Sequence, residues 1–193
     1  MSRRDFTYTI SYMRLFVAID PPSDILDILE ESIGMFSRGN KRTGNISWVP
    51  RENLHLTVFF IGEVPYQDLE GVEMRMEEAL NDVPSFYITI DKYVFFPDKL
   101  HPRIIGVSVN EQSGLLKNIY STLAKSFSGY AGKKEHKKFV PHITIGRSKM
   151  NRPLQMSNVS QGSGVFKVDE VLLKESLLSP VGAEYKIKKR FKL

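Results

Sequence analysis

Cysteine is absent from the 193-residue chain. A chain without cysteine has no disulfide scaffold, no thiolate zinc site and no cysteine nucleophile. Cytosolic proteins are kept reduced and rarely depend on disulfides. We therefore expect a cytoplasmic protein.

Long apolar runs are absent as well. No stretch approaches the roughly 18 apolar residues that cross a bilayer, so we expect no membrane partner. The first residues, MSRRDFTYTISYM, are too polar for a secretory signal peptide. The regular pattern of strands and helices begins sharply at Met13. We interpret residues 1–12 as an N-terminal extension and residues 13–193 as a single domain of two interleaved lobes.

Acidic residues are fewer than basic ones, 22 against 27, which gives a formal net charge of +5. The excess is concentrated in KKEHKK (133–138) and KIKKRFKL (186–193). A basic surface suits a polyanion such as RNA or a phosphorylated nucleotide. Lysine runs also serve solubility, so charge alone does not decide between these interpretations.

Histidine is scarce, with four copies, yet two of them occur in matching contexts. His55 lies in NLHLTVFFIGEV and His142 lies in FVPHITIGR, and each is followed two positions later by a threonine, Thr57 or Thr144. Both stretches are rich in strand-forming residues and predict β-strands.

A strand–helix–strand unit recurs around these motifs. His55 lies 41 positions after Arg14, and His142 lies 39 positions after Arg103. Between each pair, apolar residues at helical spacing predict an amphipathic helix. An internal repeat of this kind predicts two pseudo-equivalent lobes.

The repeated His-x-Thr has a specific chemical use. Side chains on a strand alternate between faces, so each histidine shares a face with its threonine. Two imidazoles lining one cleft could deliver and remove protons at a phosphodiester near neutral pH. Each such transfer contributes roughly 10²–10⁴-fold in rate, and the threonine hydroxyls could hold the phosphate oxygens. This chemistry needs no cofactor and no metal.

Zinc binding is the competing interpretation. A zinc site needs at least three protein ligands, and no acidic residue or third histidine stands at useful spacing. His101, beside Pro102, and His136, in a lysine-rich stretch, are both expected to be solvated loop residues.

With these motifs the chain resembles the 2H phosphoesterase superfamily, and within it the archaeal and bacterial RNA 2',3'-cyclic phosphodiesterases first called 2'-5' RNA ligases. The resemblance runs from Met13 to Leu193 and includes MRLFVAID, WVPRENLHLTVFFIGEV, FPDKLHPRIIGVSV and FVPHITIGR. It implies an α+β, bilobal fold in which two pseudo-symmetric lobes, each with an antiparallel sheet and helices, face each other across an active-site cleft.

The resemblance also implies an activity. The enzyme would hydrolyse a terminal 2',3'-cyclic phosphate to a 2'-phosphate, with reversible, ATP-independent 2'-5' ligation as a side activity. By position, His55 is the acid for the departing 3' oxygen and His142 is the base that activates water. The two roles exchange if the substrate binds in the opposite sense, since the two motifs are near-equivalent. Thr57 and Thr144 would bind the phosphate.

Family motifs often continue to a phenylalanine and an arginine five residues after each histidine, here Phe60 and Arg147. These would sandwich a nucleobase. Strict alternation along a strand places both residues on the face opposite to their histidines. The placement therefore needs a β-bulge or a strand end, for which Gly146 offers an opportunity; for Phe60 there is none before Gly62.

The expected partners are RNA 3' ends bearing a 2',3'-cyclic phosphate, with tRNA halves among them. A monomer is expected because one chain contains both halves of the site. Two alternatives stay open on the sequence: a non-catalytic module that binds RNA ends, and a phosphoesterase for small nucleotide cyclic phosphates.

Overall fold

The computed structural model describes residues 11–40, 46–130, 139–149, 162–179 and 182–193. The KKEHKK run with His136, and nearly all of the proposed extension 1–12, lie outside these residues. In chain order the elements are β1 (Tyr12–Ile19), α1 (Ser23–Gly39), β2 (Ile46–Trp48), β3 (Leu56–Pro65), α2 (Leu69–Leu80), β4 (Phe86–Phe96), β5 (Ile104–Asn110), α3 (Leu115–Ser126), β6 (His142–Ser148), β7 (Gly164–Val168), β8 (Glu170–Ser179) and β9 (Gly182–Lys192).

All of the strands pair antiparallel, in the order β7-β4-β5-β6-β3-β1-β8-β9, with β2 added beside β6. The two halves of this curled sheet, β7-β4-β5-β6 and β3-β1-β8-β9, meet through one bridging pair, Leu56 with Ile143. The α+β class with antiparallel strands is confirmed. The two sheets implied by the resemblance are continuous at the β3–β6 contact, which brings the two motif strands side by side.

Each repeat supplies a helix to the opposite half. Helix α1 follows β1 but packs against β6 and β7, whereas α3 follows β5 and packs against β3 and α2. The apolar faces of these helices are buried, as their spacing predicts: Ile25, Leu29 and Phe36 in α1, and Leu116, Ile119 and Leu123 in α3. The crossing connections hold the two halves of the sheet together.

The motif strands bury the predicted face. Leu54, Leu56 and Val58 have at most 3% of their surface exposed, and Ile143 and Ile145 are fully buried. Because neighbouring side chains on a strand point to opposite faces, burial of this set leaves the histidines and threonines on the other face. Of the helices in the described ranges, none is both long and apolar enough to cross a membrane.

Candidate active site

The two motif histidines are held in the same way. The Nδ1–H of His55 donates to the carbonyl oxygen of Asn53 at 2.7 Å, and that of His142 donates to the carbonyl of Val140 at 2.8 Å. In each case the acceptor is the residue two positions before the histidine. The bond fixes the tautomer of the neutral ring and leaves Nε2 to act on a ligand. In His55, Nε2 accepts a hydrogen bond from the Thr57 hydroxyl at 3.0 Å.

Each motif strand has a β-bulge immediately after its threonine. In β3, Thr57 pairs with Ala18 and Phe59 with Val17, so Val58 has no partner on β1. In β6, Thr144 pairs with Gly106 and Gly146 with Ile105, which leaves Ile145 unpaired on β5. An unpaired residue shifts the alternation of the strand by one position.

The bulges turn Phe60 and Arg147 to the histidine face. Phe60 pairs with Phe16, two residues from the partner of Thr57, and Arg147 pairs with Ile104, two residues from the partner of Thr144. The expectation from strict alternation is therefore wrong for both residues. For Phe60 the bulge comes before Gly62, at a valine; for Arg147 it comes at the isoleucine preceding Gly146.

A cavity of about 320 Å³ opens on this face. Its walls include five of the six residues predicted for the site: His55, Thr57, Phe60, Thr144 and Arg147. The ring of His142 lies 4.8 Å from that of Phe96 and is not part of this wall. It shares its face of β6 with Thr144 and Arg147, as the pairing partners Ser108, Gly106 and Ile104 show.

Burial shifts the protonation equilibria of both imidazoles. It lowers the pKa of His55 from 6.5 to about 4, against the opposing effect of the Asn53 carbonyl. It also lowers the pKa of His142. The Arg147 guanidinium contributes in the same direction at both rings, so this one cation lies within electrostatic reach of both histidines. Burial therefore favours the neutral form of both rings in the free protein.

The model of the 2'-5' RNA ligase superfamily matches residues 29–173. The chain belongs to this superfamily.

Relatives in the 2'-5' RNA ligase superfamily cover almost the whole chain. A protein of Thermotoga maritima is 32% identical over 91% of this chain and 92% of its own, and one of Methanocaldococcus jannaschii is 34% identical over 93% of this chain and 100% of its own. Both are named RNA 2',3'-cyclic phosphodiesterase. The family resemblance inferred from the motifs is confirmed, and so is the enzyme class that it implied, RNA 2',3'-cyclic phosphodiesterase.

Solved structures of similar fold include a protein of Thermus thermophilus, with a TM-score of 0.80 and 24% identity over 94% of this chain and 98% of that chain. LigT of E. coli, solved in complex with 3'-AMP, has a TM-score of 0.75 and 22% identity over 95% of this chain and 99% of that chain. These likenesses establish the shared fold.

Several residues around the first histidine of this superfamily member were not predicted from the sequence. The rings of Phe16 and Tyr185 lie 5.2 Å and 5.0 Å from that of His55. Phe16 lies in β1 and Tyr185 in β9, strands that are far from His55 in the sequence. An ion pair between buried Lys174 and exposed Asp20 also acts on His55. Of these residues, only Lys174 could have been noticed in the sequence, as a charged residue inside the apolar stretch VLLKES.

The remaining expectations concern metal and charge. Within the described ranges, no three His, Cys, Asp or Glu side chains form a cluster suited to a metal ion. His101 is exposed in its loop, as expected.

The C-terminal basic run is locally balanced by glutamates: Lys188 pairs with Glu175, Lys189 with Glu73 and Glu77, and Arg190 and Lys192 with Glu170. These pairs weaken the interpretation of that run as a free surface for RNA.

Proposed function

We propose that the protein hydrolyses the 2',3'-cyclic phosphate at RNA 3' ends to a 2'-phosphate, with His55 and His142 as the proton-transfer groups. One observation carries the proposal: in both imidazoles Nδ1–H donates to the carbonyl oxygen of the residue two positions earlier, and each ring shares a face with the threonine of its own motif. The names of the relatives, which cover more than nine tenths of the chain, support the substrate class.

The reaction requires two proton movements at one phosphorus atom. A base removes a proton from water as the water oxygen attacks phosphorus. The bond from phosphorus to the 3' oxygen breaks, and an acid delivers a proton to that oxygen, so that the phosphate remains on the 2' oxygen. In this proposal the Thr57 and Thr144 hydroxyls donate to the non-bridging oxygens, where charge develops. Thr57 does so once protonation of His55 Nε2 releases the hydroxyl hydrogen that this nitrogen accepts in the free protein.

The superfamily pattern assigns His55 as the acid and His142 as the base. Burial opposes the acid role in the free protein, because an imidazole with a pKa of about 4 carries no proton at pH 7. A phosphodiester anion beside His55 raises the pKa of that ring, since an opposite charge favours the protonated form. The proposed order therefore requires that substrate binding and protonation of His55 are linked.

Phe60 and Arg147 form the proposed contact with the nucleobase. Phe60 is 53% exposed although it is a large aromatic residue, and both side chains line the same cavity as His55. Stacking on an aromatic ring and on a guanidinium plane accepts any base. A terminal nucleotide of any sequence thus fits the site, which favours RNA ends over one particular small nucleotide.

Ligation follows from the same chemistry. If a 5'-hydroxyl replaces water as the attacking group, the strained cyclic ester provides the driving force and the proton roles are unchanged. We include this reversible 2'-5' ligation in the proposal as a side activity. We also propose that tRNA halves are among the substrates, that the protein is a monomer and that it is located in the cytoplasm.

Incubation with an oligonucleotide that ends in 2',3'-cyclic phosphate tests the proposal. We expect a 2'-phosphate product, and we expect His55→Asn and His142→Asn each to reduce turnover by at least about 10²-fold while the fold is kept. Full turnover by both variants contradicts the proposal. Salt-dependent RNA binding without product would identify a binding module, and faster turnover of a cyclic mononucleotide would identify the small-nucleotide alternative.

A further inference from the structure

Two charged side chains are buried among the described residues, Lys174 and Glu175, each with about 4% of its surface exposed. Lys174 donates to both carboxylate oxygens of Asp20, at 2.6 Å and 2.7 Å. The Lys174 side chain is buried, whereas 37% of the Asp20 side chain is exposed. Desolvation of the lysine offsets much of its attraction to the carboxylate, so the pair adds little net stability. The pair is therefore poorly explained as a device that only holds the fold together.

The sheet places this pair beside His55. Strand β1 lies between β3 and β8, and Lys174 on β8 pairs with Phe16 on β1. The ring of Phe16 is in turn 5.2 Å from that of His55. Asp20 follows directly after Ile19, whose partner on β3 is Leu56, the residue after His55.

The charges around His55 come from three directions. Lys174 on β8 lowers the pKa of the imidazole and Asp20 at the end of β1 raises it, while Arg147 on β6 lowers it. Tyr185 on β9 also lies beside His55, and its ring contacts the imidazole edge-on. The Thr57 hydroxyl on β3 completes these surroundings. Lys174 and Asp20 thus act on one ring with opposite signs.

We propose that Lys174 and Asp20 are positioning residues that act through His55: the ion pair of buried Lys174 with Asp20 fixes the charge beside this imidazole and so determines the pH range in which His55 exchanges a proton with the substrate. Neither residue lines the cavity, so neither is expected to touch the phosphate. The inference rests on the proposed function in one respect, the role of His55 in proton transfer.

The test is an NMR pH titration of the histidine side chains in the free protein, with His55 assigned through His55→Gln. Lys174→Gln removes the positive charge, and we expect the titration midpoint of His55 to rise by about one pH unit. Asp20→Asn should move the midpoint in the opposite direction. The double variant should raise the midpoint by less than Lys174→Gln alone, because the larger effect, that of Lys174, is opposed by that of Asp20.

Lys188→Gln is the matched control. It removes the same charge from an ion pair with β8, that of Lys188 with Glu175, but Lys188 is not among the charges that act on His55. If Lys174→Gln does not fold, the comparison of Asp20→Asn with the double variant isolates the charge of Lys174. Equal midpoints in all folded variants would overturn the inference.

Turnover separates the inference from the function on which it rests. With a cyclic-phosphate oligonucleotide, the pH dependence of kcat/KM should shift in the same directions as the NMR midpoints. Shifted midpoints in a protein that turns over no substrate would contradict the proposed function and leave the charge effect on His55 in place. Turnover with unshifted midpoints would overturn the inference and leave the function in place.

Discussion

Substitution of Gly106 by alanine should displace the second motif histidine. A Cβ at this position would lie 3.1 Å from the Ile143 carbonyl oxygen, 3.2 Å from His142 Cδ2 and 3.3 Å from Val94 Cγ2. Carbon atoms pack best at about 3.5–4.0 Å, so the imidazole has to move by roughly 0.3 Å. Since a misplacement of about 1 Å costs on the order of 10²-fold in rate, we expect kcat to fall about fourfold, with little change in KM.

Gly71→Ala is the control for this prediction. Gly71 lies in helix α2, and a Cβ there would meet no atom within 4 Å. The control variant should be more stable by about 0.5–1 kcal/mol, because glycine is unfavourable in a helix, and should keep its kcat. Steady-state kinetics and thermal unfolding of both variants make the comparison. An unchanged kcat in Gly106→Ala, with unchanged NMR signals of His142, would refute the proposed role of this close contact.

Three further predictions concern the pH dependence of stability, base binding and packing. Burial lowers the pKa of His55 in the folded protein to about 4, from its ordinary value of 6.5. The contribution of this ring to the free energy of unfolding is therefore fully present above pH 6.5 and is lost as pH falls through 4. Denaturant unfolding should show a decrease of about 2–3 kcal/mol over this window, and an equal decrease in His55→Gln would contradict the assignment. Phe60→Leu should raise KM for RNA about fivefold or more through lost stacking, with kcat nearly unchanged; an unchanged KM would remove Phe60 from the site. Gly146→Ala places a Cβ 2.7 Å from Trp48 Cε3, so the fluorescence of this single tryptophan should shift and the melting temperature should fall; an unaltered spectrum would exclude the contact.

The order of strands and helices follows from the sequence because apolar periodicity reports which face is buried. In β3 and β6 the alternation predicted the buried set correctly, from Leu54 to Ile145. The repeat of the His-x-Thr unit also predicted that the two motifs belong to related halves of the fold. Both signals are local, and a single sequence carries them.

The β-bulges could not be predicted in this way. They fall on Val58 and Ile145, β-branched residues that suit an uninterrupted strand as well as a bulged one. Whether such a residue is left unpaired depends on how the neighbouring strands β1 and β5 curl against it. The faces of Phe60 and Arg147 are therefore set by tertiary structure, five residues beyond each histidine.

The contacts of His55 with distant strands were missed for a related reason. Strands β1, β8 and β9 are neighbours in the sheet, and this brings together Phe16, Lys174 and Tyr185. The periodicity of apolar residues within a strand does not predict which distant strands pair with it. Lys174 was the one residue with a visible signal, a charge within an apolar strand.

The central claim is that two imidazoles, 87 positions apart in the chain, act on one phosphate group. Titration of the labelled-histidine protein with a 2'-phosphomononucleotide, followed by NMR, measures this most directly, with exposed His101 as the internal reference. The account predicts that the signals of His55 and His142 shift together, with one Kd and a stoichiometry of one ligand per chain. Shifts of one histidine alone, or of the two with different Kd values, would contradict it.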